Sequence, residues 1–347
     1  MPEFHSIIHF KTISFSQANN TITILDQTRL PGEETYVTLR TIDDVYTAIT
    51  TMQVRGAPLI GITAAYGIAQ AAQNMDRSGM IVAADRLAAA RPTAVNLKWA
   101  VERMKKKLKT STNDRNALIQ EARAIENEDK QACHRIGEYG ASLIHDNTTI
   151  MVHCNAGALA TSGIGTALGV VYTAFLQGKK IRIIANETRP VLQGARLTAW
   201  ELTRNDIETC VICDTMIATY MESVSAVIVG ADRIAVNGDT ANKIGTYNLA
   251  ILAQYFRVPL YVAAPMSSFD PCCNSGSDIT IEKRAEQEIR QFNGLQIVPV
   301  KARVANPAFD ITPAGLITAF VTEYGIIDPP FVNTIPDTLD RHRKGTT

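Results

Sequence analysis

Residues 21–26 alternate apolar and polar side chains, Pro31-Gly32 marks a turn, and residues 35–39 resume the alternation, which predicts a β-hairpin. The period then changes to that of helices, expected over 43–52, 58–74, 80–90 and 95–108. Pro58 would stand in the first turn of the second helix, and Gly61, Ala64, Ala65 and Gly67 would let a neighbour pack closely against it. A proline-free stretch from about 113 to 145 places Ile119, Ala122, Ile125, Ala132, Ile136 and Leu143 near helical spacing, and is read as an arm joining two domains. Beyond it, short β-branched runs alternate with helical segments. The runs are 148–153, 181–185, 208–212, 226–229, 260–264 and, more weakly, 296–300. Continuous apolar runs of this kind are strands covered on both faces. Their alternation with helices predicts an α/β fold with a doubly wound parallel sheet. The expected division is 1–146, a smaller hairpin-plus-helix domain with the connecting helix, and 147–347, the sheet domain. The tail after Asp328 reads as a surface extension.

The 347 residues fit a prior of about two domains. Lys plus Arg and Asp plus Glu each number 34, which argues against a large surface for nucleic acid or anionic lipid but leaves room for one cationic pocket. No run approaches the roughly 18 apolar residues of a membrane span. Residues 1–11 lack a basic start followed by an apolar run, so no secretory signal is expected. The cysteines at 133, 154, 210, 213, 272 and 273 are irregularly spaced, and reduced thiols in a cytoplasmic protein are expected.

In an open parallel sheet the ligand lies outside the carboxyl ends of the strands. Four strand ends there read His153-Cys154-Asn155, Asn186-Glu187-Thr188-Arg189, Cys213-Asp214-Thr215 and Gly230-Ala231-Asp232-Arg233. Cys154 precedes a small-residue segment expected to open a helix, whose dipole would favour a thiolate; a buried structural thiol is the other reading. Asp232 follows an apolar strand and could have its pKa raised for proton transfer, or could cap a helix or pair with Arg233. Lys243, in a polar loop with Asn242 and Gly245, suits an anion. Arg55 beside Gly56 could grip a phosphate while the backbone comes close, and Arg91-Pro92-Thr93 has similar form. The glycines at 157, 163, 165 and 169 depart from the dinucleotide spacing, and Cys210 with Cys213 has no second pair for zinc, so neither nicotinamide nor metal is expected. His153 reads as structural, and Cys272-Cys273 as incidental.

Five blocks carry a family resemblance: Arg55-Gly56-Ala57-Pro58, 91–97 (RPTAVNL), 153–161 (HCNAGALAT), 187–202 (ETRPVLQGARLTAWEL) and 230–247 (GADRIAVNGDTANKIGTY). Together they resemble the 5-methylthioribose-1-phosphate isomerases, a family related to ribose-1,5-bisphosphate isomerases and to regulatory subunits of a translation-initiation exchange factor. The resemblance implies a Rossmann-like C-terminal domain and a homodimer. It implies interconversion of 5-methylthioribose 1-phosphate and 5-methylthioribulose 1-phosphate in methionine salvage. It places the active-site cysteine on Cys154 and the proton donor on Asp232. Substrate-binding positions fall on Arg55, Gly56, Ala57, Arg91, Gln193, Asn242 and Lys243. Such a reaction is redox-neutral within one molecule and needs neither cofactor nor metal; no nucleic acid or membrane partner is implied. The chain departs from the family pattern at Thr280 and Lys283, where Pro and Glu are usual, and at Cys213. That leaves 5-deoxyribose 1-phosphate and ribose 1,5-bisphosphate as alternative substrates, with a non-enzymatic regulatory subunit as the remaining class.

Overall fold

The computed structural model describes residues 7–345 apart from 92–93 and 112–113, so Pro92 and Thr93 of the second block lie outside the described residues. The chain opens with β1 (Ile13–Ser16), β2 (Thr21–Leu25) and β3 (Tyr36–Leu39), an antiparallel sheet in chain order with one strand more than the predicted hairpin. Four helices follow: α1 (Ile42–Thr50), α2 (Ala57–Ala71), α3 (Arg77–Ala88) and α4 (Val95–Thr110). Thr41 and Asp44 close a capping box that fixes where α1 begins. Helix α2 is buried on almost every side, from Leu59 to Ala71, and forms the centre of a first core with Ile22, Ile49, Leu97, Val101 and Leu118 around it.

The long helix α5 (Asp114–Ala141) runs out of this core into a second one. Leu118, Ile119, Ala122 and Ile125 belong to the first; Cys133, Ile136 and Ala141 belong to the second.

The second core lies on a mixed sheet of seven strands. These are β4 (Thr148–Val152), β5 (Ile181–Asn186), β6 (Thr209–Ile212), β7 (Ala226–Val229), β10 (Leu260–Ala263), β14 (Ala319–Thr322) and β15 (Gly325–Ile327). Their order is β15-β14-β10-β7-β4-β5-β6, parallel throughout except for the edge pair β14–β15. From β4 the chain first steps one way, through β5 to β6, then returns to the other side of β4 with β7. The order therefore reverses beside β4 and β7, the place where open sheets leave a crevice at their carboxyl ends. Between β7 and β10 the chain folds into β8 (Arg233–Ile234) and β9 (Thr240–Lys243), which pair antiparallel with each other, and β9 pairs antiparallel on its other side with the later β13 (Phe309–Thr312). A short hairpin, β11 (Gln291–Phe292) and β12 (Leu295–Gln296), stands on the surface.

Three expectations need correction. Residues 296–300 form no strand of the main sheet: Ile297 and Val300 are exposed, and the strand in that part of the chain is β14, all four of whose residues are buried. The segment after Cys154 does not open directly into a helix. It makes a single turn at Ala158–Ala160, and the next helix, α6 (Ala167–Leu176), starts only after Thr166. The interruption holds Gly165 at φ 88°, a conformation outside any right-handed helix. The tail is not a bare extension, because Phe331–Gly345 is helical and buries Phe331 and Ile335 against the sheet.

Candidate active site

A cleft with about 820 Å³ of empty space, open to solvent, lies over the carboxyl ends of β4 and β7 and reaches the start of α2. All nine residues singled out from the sequence line it: Arg55, Gly56, Ala57, Arg91, Cys154, Gln193, Asp232, Asn242 and Lys243.

Cys154 directly follows β4 and its neighbour His153, with a left-handed φ of 63°. That conformation is strained for a side-chain-bearing residue. It is held on both sides: the Cys154 N–H donates to Thr188 Oγ1 at 2.9 Å, and Thr198 Oγ1 donates to the Cys154 carbonyl at 2.6 Å. The backbone is thus fixed while the thiol has no hydrogen-bond partner among the described residues. His153 behaves as expected of a structural residue. Its Nε2 lies 2.8 Å from the Ile244 carbonyl and must donate there, and burial lowers its pKa, keeping the ring neutral.

Asp232 directly follows Gly230-Ala231 at the end of β7, and its N–H donates to Ala241 in β9 at 3.0 Å. Burial pushes its carboxyl above the ordinary range, opposed by the charges of Lys243, Arg91 and Arg55. Neither structural role open from sequence applies. The next element is a strand and not a helix, and Arg233 turns away to Asp270, with Nε 2.9 Å from Oδ2.

Lys243 and Asn242 arrive on β9. Lys243 is buried with its ammonium 5.1 Å from the centre of the Phe309 ring, and no carboxylate pairs with it among the described residues. Burial pulls its pKa down, while the nearby Cys154 and Asp232 push it up. Asn242 is anchored through Nδ2 to Thr246 Oγ1 at 3.0 Å.

The opposite wall comes from the helical core. Gly56 sits at φ 89°, and a Cβ there would lie 2.5 Å from Ala160, so only glycine lets the two loops meet. Ala57 begins α2, a long helix whose N-terminal end opens on the cleft and favours an anion. Arg55 is buried, and its guanidinium binds Gln27 Oε1 at 3.3 Å and the Asn155 carbonyl at 2.9 and 2.8 Å, with a further short contact to Asn155 Oδ1. Arg91 pairs with Glu282 at 2.9 Å, and Glu282 in turn with Arg284 at 3.1 Å.

Several polar atoms around the cleft are buried without a protein partner among the described residues: Arg91 Nε, Gln193 Oε1 and Ser268 Oγ. A polar ligand is the natural means of satisfying such groups. Asn155, Thr161, Thr166, Ser268, Arg284 and Phe309 also line the cleft and were not singled out from the sequence. Asn155 and Thr161 lay inside a quoted block, but Ser268, Arg284 and Phe309 come from irregular segments and an antiparallel strand with no local signature. The departures at Thr280 and Lys283 are exposed and do not line the cleft. Cys213 also lies outside it, beside Glu187, whose charge raises the thiol's pKa.

Among the described residues no cluster of His, Cys, Asp and Glu is arranged to hold a metal ion, and no helix is long and apolar enough to cross a membrane.

Comparison with known proteins gives a consistent picture. The model of the Initiation factor 2 subunit family matches residues 53–329. The methylthioribose-1-phosphate isomerase of Caldicellulosiruptor saccharolyticus is 51% identical over 333 residues, covering 92% of this chain and 97% of that protein. The methylthioribose-1-phosphate isomerase of Thermotoga neapolitana is 49% identical over 339 residues, covering 95% and 98%. Among solved structures, the 5-methylthioribose 1-phosphate isomerase of Pyrococcus horikoshii OT3 superposes with a TM-score of 0.90 at 38% identity, over 98% of both chains. A structure described as translation initiation factor eIF-2B, subunit delta, from A. fulgidus gives 0.85 at 39% identity, over 95% of this chain and 99% of that one.

Proposed function

The chain belongs to the Initiation factor 2 subunit family and, within it, to the methylthioribose-1-phosphate isomerases, and on that premise we propose that it interconverts 5-methylthio-D-ribose 1-phosphate and 5-methylthio-D-ribulose 1-phosphate. This is the aldose–ketose step of methionine salvage. The observation that carries the reading is one cleft holding an unpartnered thiol, a desolvated carboxyl and four cationic side chains over the point where the strand order reverses.

Phosphate on the anomeric carbon blocks ring opening by the free-hemiacetal route. In the proposed mechanism Asp232, whose pKa is raised by burial, acts as the acid and gives its proton to the ring oxygen as the C1–O bond breaks. The hydrogen on C2 then moves to C1, and the C2 hydroxyl returns a proton to Asp232 as the ketone forms. Cys154 acts at the C2–C1 transfer. It either takes the C2 proton, passing through an enediol, or walls off the carbons so that the hydrogen moves as hydride. Arg55, Arg91 and Lys243 hold the phosphate with the start of α2, so that binding away from the reacting carbons orients them. Gly56, Ala57, Gln193 and Asn242 complete the binding surface. Running the reaction in deuterated water bears on the two paths: full retention of the C2 hydrogen at C1 counts against the enediol, and solvent deuterium at C1 rejects the hydride shift.

The decisive assay compares 5-methylthioribose 1-phosphate, 5-deoxyribose 1-phosphate and ribose 1,5-bisphosphate side by side. The first is expected to give the highest kcat/KM. Preference for either of the others reassigns the substrate, and turnover of none rejects the enzyme in favour of a regulatory subunit, the reading that the A. fulgidus likeness would favour.

The reading extends to assembly as a homodimer. Helix Thr246–Phe256 exposes Tyr247, Ile251 and Tyr255 along one stripe, with the exposed Met216 and Tyr220 on a neighbouring segment. A contiguous apolar stripe of this kind suits a second copy. The division at 146/147 and a cytoplasmic setting with reduced thiols belong to the same proposal.

A further inference from the structure

We infer that Glu201 is a positioning residue for Arg55, acting through Asn155, and that it holds the guanidinium at the phosphate end of the cleft without cancelling its charge. The inference rests on the sugar-phosphate reading above.

A buried arginine ordinarily takes a carboxylate directly, often in a bidentate pair that occupies the guanidinium. Arg55 is only 8% exposed, yet its partners are all neutral: Gln27 Oε1, the Asn155 carbonyl and Asn155 Oδ1. The carboxylate stands one residue further away. Asn155 Nδ2 donates to Glu201 Oε1 at 2.9 Å and to Thr198 Oγ1 at 3.1 Å. Glu201 is fully buried, and its other oxygen accepts the Leu159 N–H at 3.1 Å.

The order of these groups has a chemical reason. An asparagine amide fits its pocket either way round, and only its neighbours decide which end faces which. Above its raised pKa of about 7 Glu201 is ionised, and an ionised carboxylate only accepts. It therefore draws the NH2 end of Asn155 to itself and turns Oδ1 toward Arg55. The charge of Glu201 still acts on the guanidinium at a distance, while the direct ion pair that would compete with a phosphate is not made.

The same carboxylate fixes the adjoining loop. A Cβ on Gly157 would lie 1.5 Å from Glu201 Oε1, so the carboxylate packs against bare backbone there. The loop then reaches Ala160, which abuts Gly56. One buried acid thus sets the orientation of the Arg55 side chain and the position of the loop beside it.

Glu201→Gln keeps the shape but supplies one acceptor where two donors converge. Because the Leu159 N–H cannot turn, the glutamine oxygen goes to it, and Asn155 meets an NH2 group and must flip. The test measures KM and kcat for 5-methylthioribose 1-phosphate at about pH 8.5, where Glu201 is ionised, in wild type, Glu201→Gln, Arg55→Ala and the double variant. Glu201→Gln is expected to raise KM roughly tenfold and to lower kcat less than threefold. In the Arg55→Ala background it is expected to change KM less than twofold, because its effect is exerted through that arginine. Unchanged KM in Glu201→Gln, or effects that multiply in the double variant, overturn the inference. Should Glu201→Gln fail to fold, Asn155→Ala interrupts the relay at its middle; an unchanged KM there overturns it equally. Absence of turnover in wild type would instead reject the sugar-phosphate reading.

Discussion

The two walls of the cleft are built by opposite rules. On the sheet side, Cys154 and Asp232 have backbones tied to neighbouring elements, but their side chains make no hydrogen bond among the described residues. On the helical side, Arg55 is bonded along most of its guanidinium and Arg91 is paired with Glu282. The difference follows from the work each wall is assigned. A group that must exchange a proton needs an uncommitted atom in a poorly hydrated place, whereas a group that only orients a phosphate gains from being fixed beforehand.

The contrast is broken most severely from the sheet side. Asp232→Asn and Cys154→Ala are each expected to lower kcat by on the order of a thousandfold with little change in melting temperature, since neither side chain holds the fold together. Steady-state kinetics beside a thermal melt checks this, and activity within tenfold of wild type would remove either residue from the chemistry.

Breaking the helical wall should instead appear in stability. Gly56→Ala forces a left-handed backbone and a 2.5 Å approach to Ala160, at a cost of about 2–4 kcal/mol. Urea denaturation measures it, and a midpoint shift equivalent to less than 0.5 kcal/mol would show that the two loops do not need to meet so closely.

A third prediction concerns the buried acids of the fold. Burial pushes Asp129 and Asp310 up to about 6 and Glu201 and Glu323 up to about 7. Each folded carboxyl thus binds its proton at a pH where the unfolded chain has released it. Their stabilisation is present in acid, below the unfolded pKa near 4, and is lost as pH rises through 6 to 7. His153, lowered by burial, works in the opposite sense over an overlapping range. With these acids outnumbering the one histidine, the urea midpoint should fall between pH 5 and pH 7.5, and Glu201→Gln should flatten the fall by about 1–3 kcal/mol. A midpoint that rises over that range would contradict the balance.

The smallest effect is expected at the departures from the family pattern. Thr280→Pro with Lys283→Glu should leave kcat/KM for the three sugar phosphates within roughly twofold, because both residues are exposed and outside the cleft.

The same contrast explains what was legible from the sequence. Strands β4, β5, β7 and β10 were visible as buried β-branched runs; the run at 208–212 is also a strand, β6, but it stands at the edge of the sheet with Cys210 and Val211 exposed and is not covered on both faces as expected. Their loops point at the sheet edge by a general rule of parallel sheets. Cys154 and Asp232 could therefore be located from pattern alone. The helical wall was less legible: the loops at Arg55 and Arg91 had the form of a phosphate grip, but only the family resemblance assigned them to the substrate. Strand β14 was missed because its four residues, AFVT, carry no more signal than the exposed run at 296–300. Burial of one and exposure of the other are decided by tertiary neighbours. Ser268, Arg284 and Phe309 were missed for a related reason. Each reaches the cleft through a chain path of which local periodicity carries no record.

One consequence remains in α5. At 28 residues it is a rod about 42 Å long, with one end embedded in each hydrophobic core. Melting either core exposes apolar residues of a continuous helix whose other half is still packed, so neither half has an independent route to the unfolded ensemble. The rod should make denaturation a single cooperative event, visible as one calorimetric peak, despite the different architectures at its two ends.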